Sequence, residues 1–196
     1  SYQDKVHNKI FTENFDYVVV SSGHFSVPFI PEYKGMKSFP GRIMHSHDFR
    51  DAEEFKDKNI VVLGSSYSAE DVALQCNKYG AKSVTIGYRH NPMGFKWPKG
   101  MKEVHYLEKL DGKKAVFKDG TEQDTDVIIL CTGYLHHFPF INEDLKLKTH
   151  NRLYPPKLDK GVVWQVNHKL FYLGRQDQFH TFNMFDCQAW YARDVI

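Results

Sequence analysis

The sequence is short of cysteine, of charge imbalance and of long apolar runs, and each shortage excludes a class of protein. Its three cysteines, Cys76, Cys131 and Cys187, are odd in number and far apart. They form no C-x-x-C pair, which argues against a disulfide framework, a cysteine-ligated zinc site and a dithiol redox centre. A reducing cytoplasm is the compartment that fits them. The 26 basic and 24 acidic residues leave a net charge of +2, so no polyanion footprint and no nucleic-acid partner are expected. Apolar runs are only a few residues long, too short for a transmembrane span, and no membrane partner is expected. Internal repeats and low-complexity tracts are also lacking. Aromatic residues, at 15% of the chain, are dense instead, and residues 179–191 are the richest stretch.

Residues 59–71 read NIVVLGSSYSAED, an apolar run, a sharp turn and the opening of an amphipathic helix. Ile60, Val61, Val62 and Leu63 predict a short strand buried on both faces. Gly64 predicts a turn free of Cβ hindrance. Ala69, Val72, Ala73 and Cys76 fall on one helical face, and Gly80 stands where a helix C-cap glycine would. A helix N-terminus after a strand suits an anionic diphosphate, so the segment points to a dinucleotide. Against G-x-G-x-x-G/A the match is Gly64, Ser66 and Ala69. Ser66 in place of the second glycine restricts backbone approach, and Ser65, Ser66 and Ser68 offer hydroxyl donors in compensation. Ala69 is small enough for close helix-on-strand packing.

The next strand, residues 83–88 (SVTIGY), should end in Asp or Glu if the ligand carries a ribose 2′-OH, about 20 residues past the turn. It ends instead in Tyr88, Arg89 and His90. A 2′-phosphate adds roughly −1.5 to −2 charges and is clamped by a guanidinium. Arg89 and His90 therefore favour NADP(H), against the plainer reading of Arg89 as a solvated strand-end charge.

The flanking segments carry a resemblance. Residues 39–49 (FPGRIMHSHDF) fit F-x-G-x-x-x-H-x-x-x-(F/Y), with Phe39, Gly41, His45 and Phe49 in the marked places. Residues 127–134 (VIILCTGY) resemble an A-T-G-Y segment. Residues 15–28 (FDYVVVSSGHFSVP) resemble the strand and turn before the fingerprint, and residues 171–191 resemble a segment returning to a flavin. In this order the segments resemble flavin-containing monooxygenases over nearly the whole chain. The resemblance implies FAD beside NADP(H), dioxygen as co-substrate, and a soft nucleophile as substrate. Trimethylamine, converted to its N-oxide, leads over related amines and sulfides. It places Tyr67 and Ser68 on NADP and Phe29 against it from the domain junction. It puts Gln178 and Thr181 near the flavin, and Asp177 beside the nicotinamide or a substrate amine, so Asp177 and Tyr67 are the catalytic candidates. Asp177 reads equally as a charge at a helix start. A homodimer of the full-length parent is also implied.

The expected fold class is α/β. A Rossmann-like NADPH-binding domain at residues 35–128, with a parallel sheet, helices and a β-meander, lies between partial FAD-domain segments at 1–34 and 129–196. The family's initial FAD-binding glycine turn has no counterpart before Gly64, so the chain is expected to be a truncated piece with an incomplete FAD site. Residues 16–21 predict a buried strand, residues 34–58 a charged connection and residues 90–100 a mobile loop. Residues 104–110, 115–118 and 126–130 predict the meander, turning at Asp111-Gly112 and Asp119-Gly120. The pairs His136-His137 and His45/His47 invite a metal reading. Adjacent histidines in a strand point to opposite faces, so solvated or core histidines are expected and no metal. His45 is expected to hold the domain junction by hydrogen bonding. Two other readings stay open: an isolated non-catalytic NADP-binding module, and a Baeyer–Villiger monooxygenase, for which Phe49 stands where Trp is expected.

Overall fold

A computed structural model describes residues 1–149, 155–176 and 180–196. The chain divides into two compact units, Pro28–Gly133 and Ser1–Val27 with Tyr134–Ile196.

The Pro28–Gly133 unit is Rossmann-like, built on β1 (Arg42–His45), β2 (Asn59–Leu63), α1 (Tyr67–Lys78), β3 (Ser83–Tyr88), β4 (Met101–His105), β5 (Leu107–Asp111), β6 (Lys114–Phe117), β7 (Glu122–Asp124) and β8 (Val127–Leu130). Strands β1, β8, β2, β3 and β4 form one sheet in that spatial order, and every neighbouring pair is parallel. Strands β5, β6 and β7 form a separate antiparallel meander.

The all-apolar strands sort their side chains by simple alternation. Ile60, Val62, Val127 and Ile129 pack on one face with Ala69, Val72, Ala73 and Cys76 of α1. Val61, Leu63, Ile128 and Leu130 pack on the other face with Leu107, Leu110, Ala115 and Phe117 of the meander. The result is three layers, helix, parallel sheet and meander, which is why β2 and β8 have no polar face. The buried polar side chain on β3, Thr85, donates to Gln123 of the meander.

Two expectations about elements need correction. Residues 126–130 are not the third meander strand. Val127–Leu130 runs parallel between β1 and β2 in the sheet, and Glu122–Asp124 closes the meander against β6. A buried parallel strand and a meander strand are alike in composition over so short a run. The connection at 34–58 contains β1, whose ends Arg42 and His45 masked it. Within the loop at 90–100, the backbone N–H groups of Met93, at 2.6 Å, and Gly94, at 3.0 Å, donate to Glu103 of β4.

In the other unit, Val18–Val20 pairs in parallel with Leu170–Tyr172 despite their separation in sequence. The expected buried strand there is only partly buried: Val20 is covered, while Val18 and Val19 are 49% and 43% exposed. Helix α2 (Thr181–Val195) follows. Arg175 is fully buried in this unit. Its guanidinium donates to the backbone oxygens of Gly23 and Val20 and lies 4.7 Å from the centre of the Phe138 ring. Burial lowers its pKa to about 10. No helix among the described residues is long and apolar enough to cross a membrane.

Candidate functional site

Strand β2 ends at Leu63, and Gly64 turns the chain with φ of +142°. A Cβ at Gly64 would lie 2.3 Å from the Cys131 carbonyl oxygen just beyond β8, so the approach of these two backbones requires glycine. The Gly64 N–H donates to Gly87 O on β3 at 3.0 Å. The amide at the centre of the turn is therefore committed to the protein, and donors toward a ligand begin at Ser65. Ser66 holds the N-cap position of α1 in extended backbone, and its hydroxyl makes no capping bond. Tyr67 and Ser68 follow as exposed first-turn residues, and Ala69 is fully buried against the sheet.

A cavity of about 250 Å³ lies at the carboxyl ends of the parallel strands. Phe29, Gly64, Ser65 and Arg89 line it together, so residues far apart in sequence meet in one space. Such a crevice is where open parallel sheets take their ligands. Ser66, Tyr67, Ser68, Ala69 and His90 are not among its walls. His90 is exposed just past β3. Thr181 opens α2 in the other unit, exposed, and Asp177 and Gln178 lie outside the described residues. Pro31, Tyr33, Leu63, Gly87, Tyr106 and Thr132 complete the walls. Sequence reasoning missed them, though a glycine inside a buried strand, Gly87, is a signal of close approach.

The cavity rim is braced by the fingerprint segment. Phe39 packs beneath the meander. Phe49 stacks on Phe55, with ring centres 5.9 Å apart. His45, at the end of β1, donates from Nε2 to Gly133 O at 3.0 Å and accepts at Nδ1 from the His47 N–H at 3.0 Å. These partners fix a neutral imidazole, and burial holds its pKa below the ordinary value. The histidine thereby anchors the turn carrying Cys131 and Thr132. Thr132 in turn donates its hydroxyl to Phe29 O at 2.5 Å.

The nearby thiols are inert. Burial pushes both Cys76 and Cys131 up to about 12, far from thiolate chemistry near neutrality. Among the described residues, no group of three or more His, Cys, Asp or Glu is placed to hold a metal.

Comparison with known proteins agrees with this architecture. Residues 3–93 and 100–168 match the family of flavin-binding monooxygenase-like proteins. The trimethylamine monooxygenase of Pelagibacter sp. strain HTCC7211 is 86% identical over all 196 residues, and the chain covers 44% of its length. The crystal structure of Tmm from that strain superposes with a TM-score of 0.93 over 99% of this chain and 44% of that one. The S-allyl-L-cysteine S-oxygenase of Allium sativum is 31% identical, with a TM-score of 0.78 over 93% of this chain and 43% of that one. The chain thus spans less than half the length of these relatives. On the extent of the family match and the level of identity, this chain belongs to the flavin-binding monooxygenase-like family.

Proposed function

We propose that the Pro28–Gly133 unit is the NADP(H)-binding part of a flavin-dependent monooxygenase that oxygenates a soft nucleophile. Trimethylamine, giving its N-oxide, is the leading substrate, by kinship with the trimethylamine monooxygenase noted above. The observation that carries the reading is the shared cavity: Gly64 and Ser65 of the turn and Arg89, just past β3, line one space at the carboxyl ends of the sheet.

The residues present fit the nucleotide. A diphosphate held at the turn would meet Ser65, the Ser66 hydroxyl, which makes no capping bond, and the N-terminal end of α1 with its donors and positive potential. Tyr67 and Ser68 border that position at the exposed start of the helix. At the adenosine end, Arg89 would hold a 2′-phosphate through its guanidinium, with His90 adjacent. Phe29, tied through its carbonyl to Thr132, lines the same cavity. NADPH, when bound, supplies hydride, and FAD supplies the dioxygen chemistry. The residues described here contribute binding, orientation and a committed backbone frame. Asp177, Gln178 and Thr181 are proposed for the flavin and substrate side.

The reading is tested by titrating the chain with NADPH and NADH, wild type and Arg89→Ala. NADPH should bind at least tenfold more tightly than NADH to the wild type, since a hydrogen bond to a charged group contributes about 1.5–3 kcal/mol. Arg89→Ala should erase most of that preference. Equal affinity of the wild type for both nucleotides would remove the 2′-phosphate assignment.

A further inference from the structure

Part of the cavity wall is aromatic, and neither ring belongs to a motif segment. Tyr33 comes from the segment ahead of β1, and Tyr106 is the residue between β4 and β5. Their ring centres lie 5.6 Å apart at 51°. The pair is fixed from behind: the Leu110 N–H donates to Lys34 O at 2.8 Å, and Lys34 bridges Lys109 in parallel. The Lys118 ammonium stands 5.5 Å from the Tyr106 ring centre.

The floor of the cavity includes Gly87, inside β3. A Cβ there would come within 2.8 Å of Leu63 Cδ2 and 3.7 Å of the Phe117 ring. A glycine in a buried parallel strand weakens the strand unless something approaches closely. Here the close neighbours are the Leu63 side chain and the Phe117 ring, which fill the place of its missing side chain. Two residues later, Arg89 leaves the same strand into the same cavity.

A protonated phenol carries one O–H that it can donate to an acceptor. That donor stands in the same cavity as a guanidinium. A donor next to a cation suits an acceptor-only dianion better than a ribose hydroxyl, which is itself a donor. Burial, and then the neighbouring Tyr106 phenol, push the Tyr33 phenol above its usual range, which favours its protonated, donating form.

We propose that Tyr33 and Tyr106 are specificity-determining residues that join Arg89 in recognising the 2′-phosphate of the adenosine half. This inference rests on the NADP(H) reading and deepens it. Arg89 supplies the charge, and the phenols supply neutral donors and an aromatic wall.

The test is calorimetric titration of the 196-residue chain with 2′,5′-ADP and 5′-AMP, for wild type, Tyr33→Phe, Tyr106→Phe and the double variant. Each substitution removes one oxygen and no ring. The single variants carry the same test should the pair unfold. The wild type should prefer 2′,5′-ADP. The double variant should lose about tenfold or more for 2′,5′-ADP and little for 5′-AMP. An unchanged ratio of the two affinities in the double variant, or an equal loss for both ligands, overturns the tyrosine assignment alone. A wild type that does not distinguish the two ligands overturns the 2′-phosphate reading beneath it.

Discussion

The two units of the chain treat apolar surface differently. In the Pro28–Gly133 unit, β2 and β8 hide both faces, with Ile60, Val61, Val62 and Ile129 fully buried between helix and meander. In the other unit, the Val18–Val20 strand leaves two valines about half exposed, and α2 exposes Phe182 and Trp190 while burying Gln188 and Ala192. The first unit closes its own core and can hold a shaped cavity on a stiff edge. The second shows solvent the kind of surface that elsewhere in the molecule lies inside.

That contrast breaks most visibly under truncation of matched side chains. Ile129→Ala should cost about 2–5 kcal/mol, the usual range for emptying a buried aliphatic site. Val19→Ala should stay within about 0.5 kcal/mol, as expected for an exposed position. Urea denaturation of both variants checks this, and comparable losses would show that the exposed strand is as tightly held as the sheet. Gly64→Ala ranks next. Its positive φ alone costs about 1–3 kcal/mol for a residue with a Cβ, before the contact with the Cys131 carbonyl forces the turn to move. Lower stability together with lost NADPH binding is the expected pair of results, read by thermal melts and titration. Retained binding would detach the turn from the ligand.

These tests also show what the sequence made legible and why. The strand, turn and helix around Gly64 could be read because all three signals are local: an apolar run, a positive-φ glycine and a helix with small residues on one face. The position of β8 could not, because VIIL has the same composition in a parallel core and in a meander, and only its long-range pairing to β1 and β2 decides. The short β1, bounded by Arg42 and His45, gave no alternation to detect. Arg89 drew notice through the missing acid at the end of β3, and it lines the cavity. Tyr33 and Tyr106 were not, since two unrelated loops bring them to the cavity and no spacing connects them. Gly87 carried a usable signal that was overlooked.

A smaller effect should follow from His45. Its folded pKa lies below the ordinary imidazole value of 6.5, so the unfolded chain binds the proton more readily. Stability from this group is present above about pH 6.5 and is lost as pH falls through the folded value. Asp126 and Asp119, whose pKa values lie below the ordinary 3.8, act in a separate window below that figure. Asp126 is held down first by the Asn59 N–H, and backbone N–H bonds from Thr121 and His105 outweigh desolvation at Asp119. Thermal midpoints should therefore fall modestly between pH 7.5 and 5.5. His45→Gln, which cannot titrate, should flatten that fall. An identical slope in the variant would assign it to other groups.

The central claim is that one cavity at the carboxyl ends of the parallel strands takes the nucleotide. Backbone amide chemical shifts of the isotopically labelled chain, followed during NADP addition, test it most directly. The account predicts the largest changes at Gly64, Ser65, Gly87, Arg89 and Thr132, with the Val18–Val20 strand and α2 little affected. Changes concentrated in the Ser1–Val27 and Tyr134–Ile196 unit, or none at the glycine turn, would contradict it.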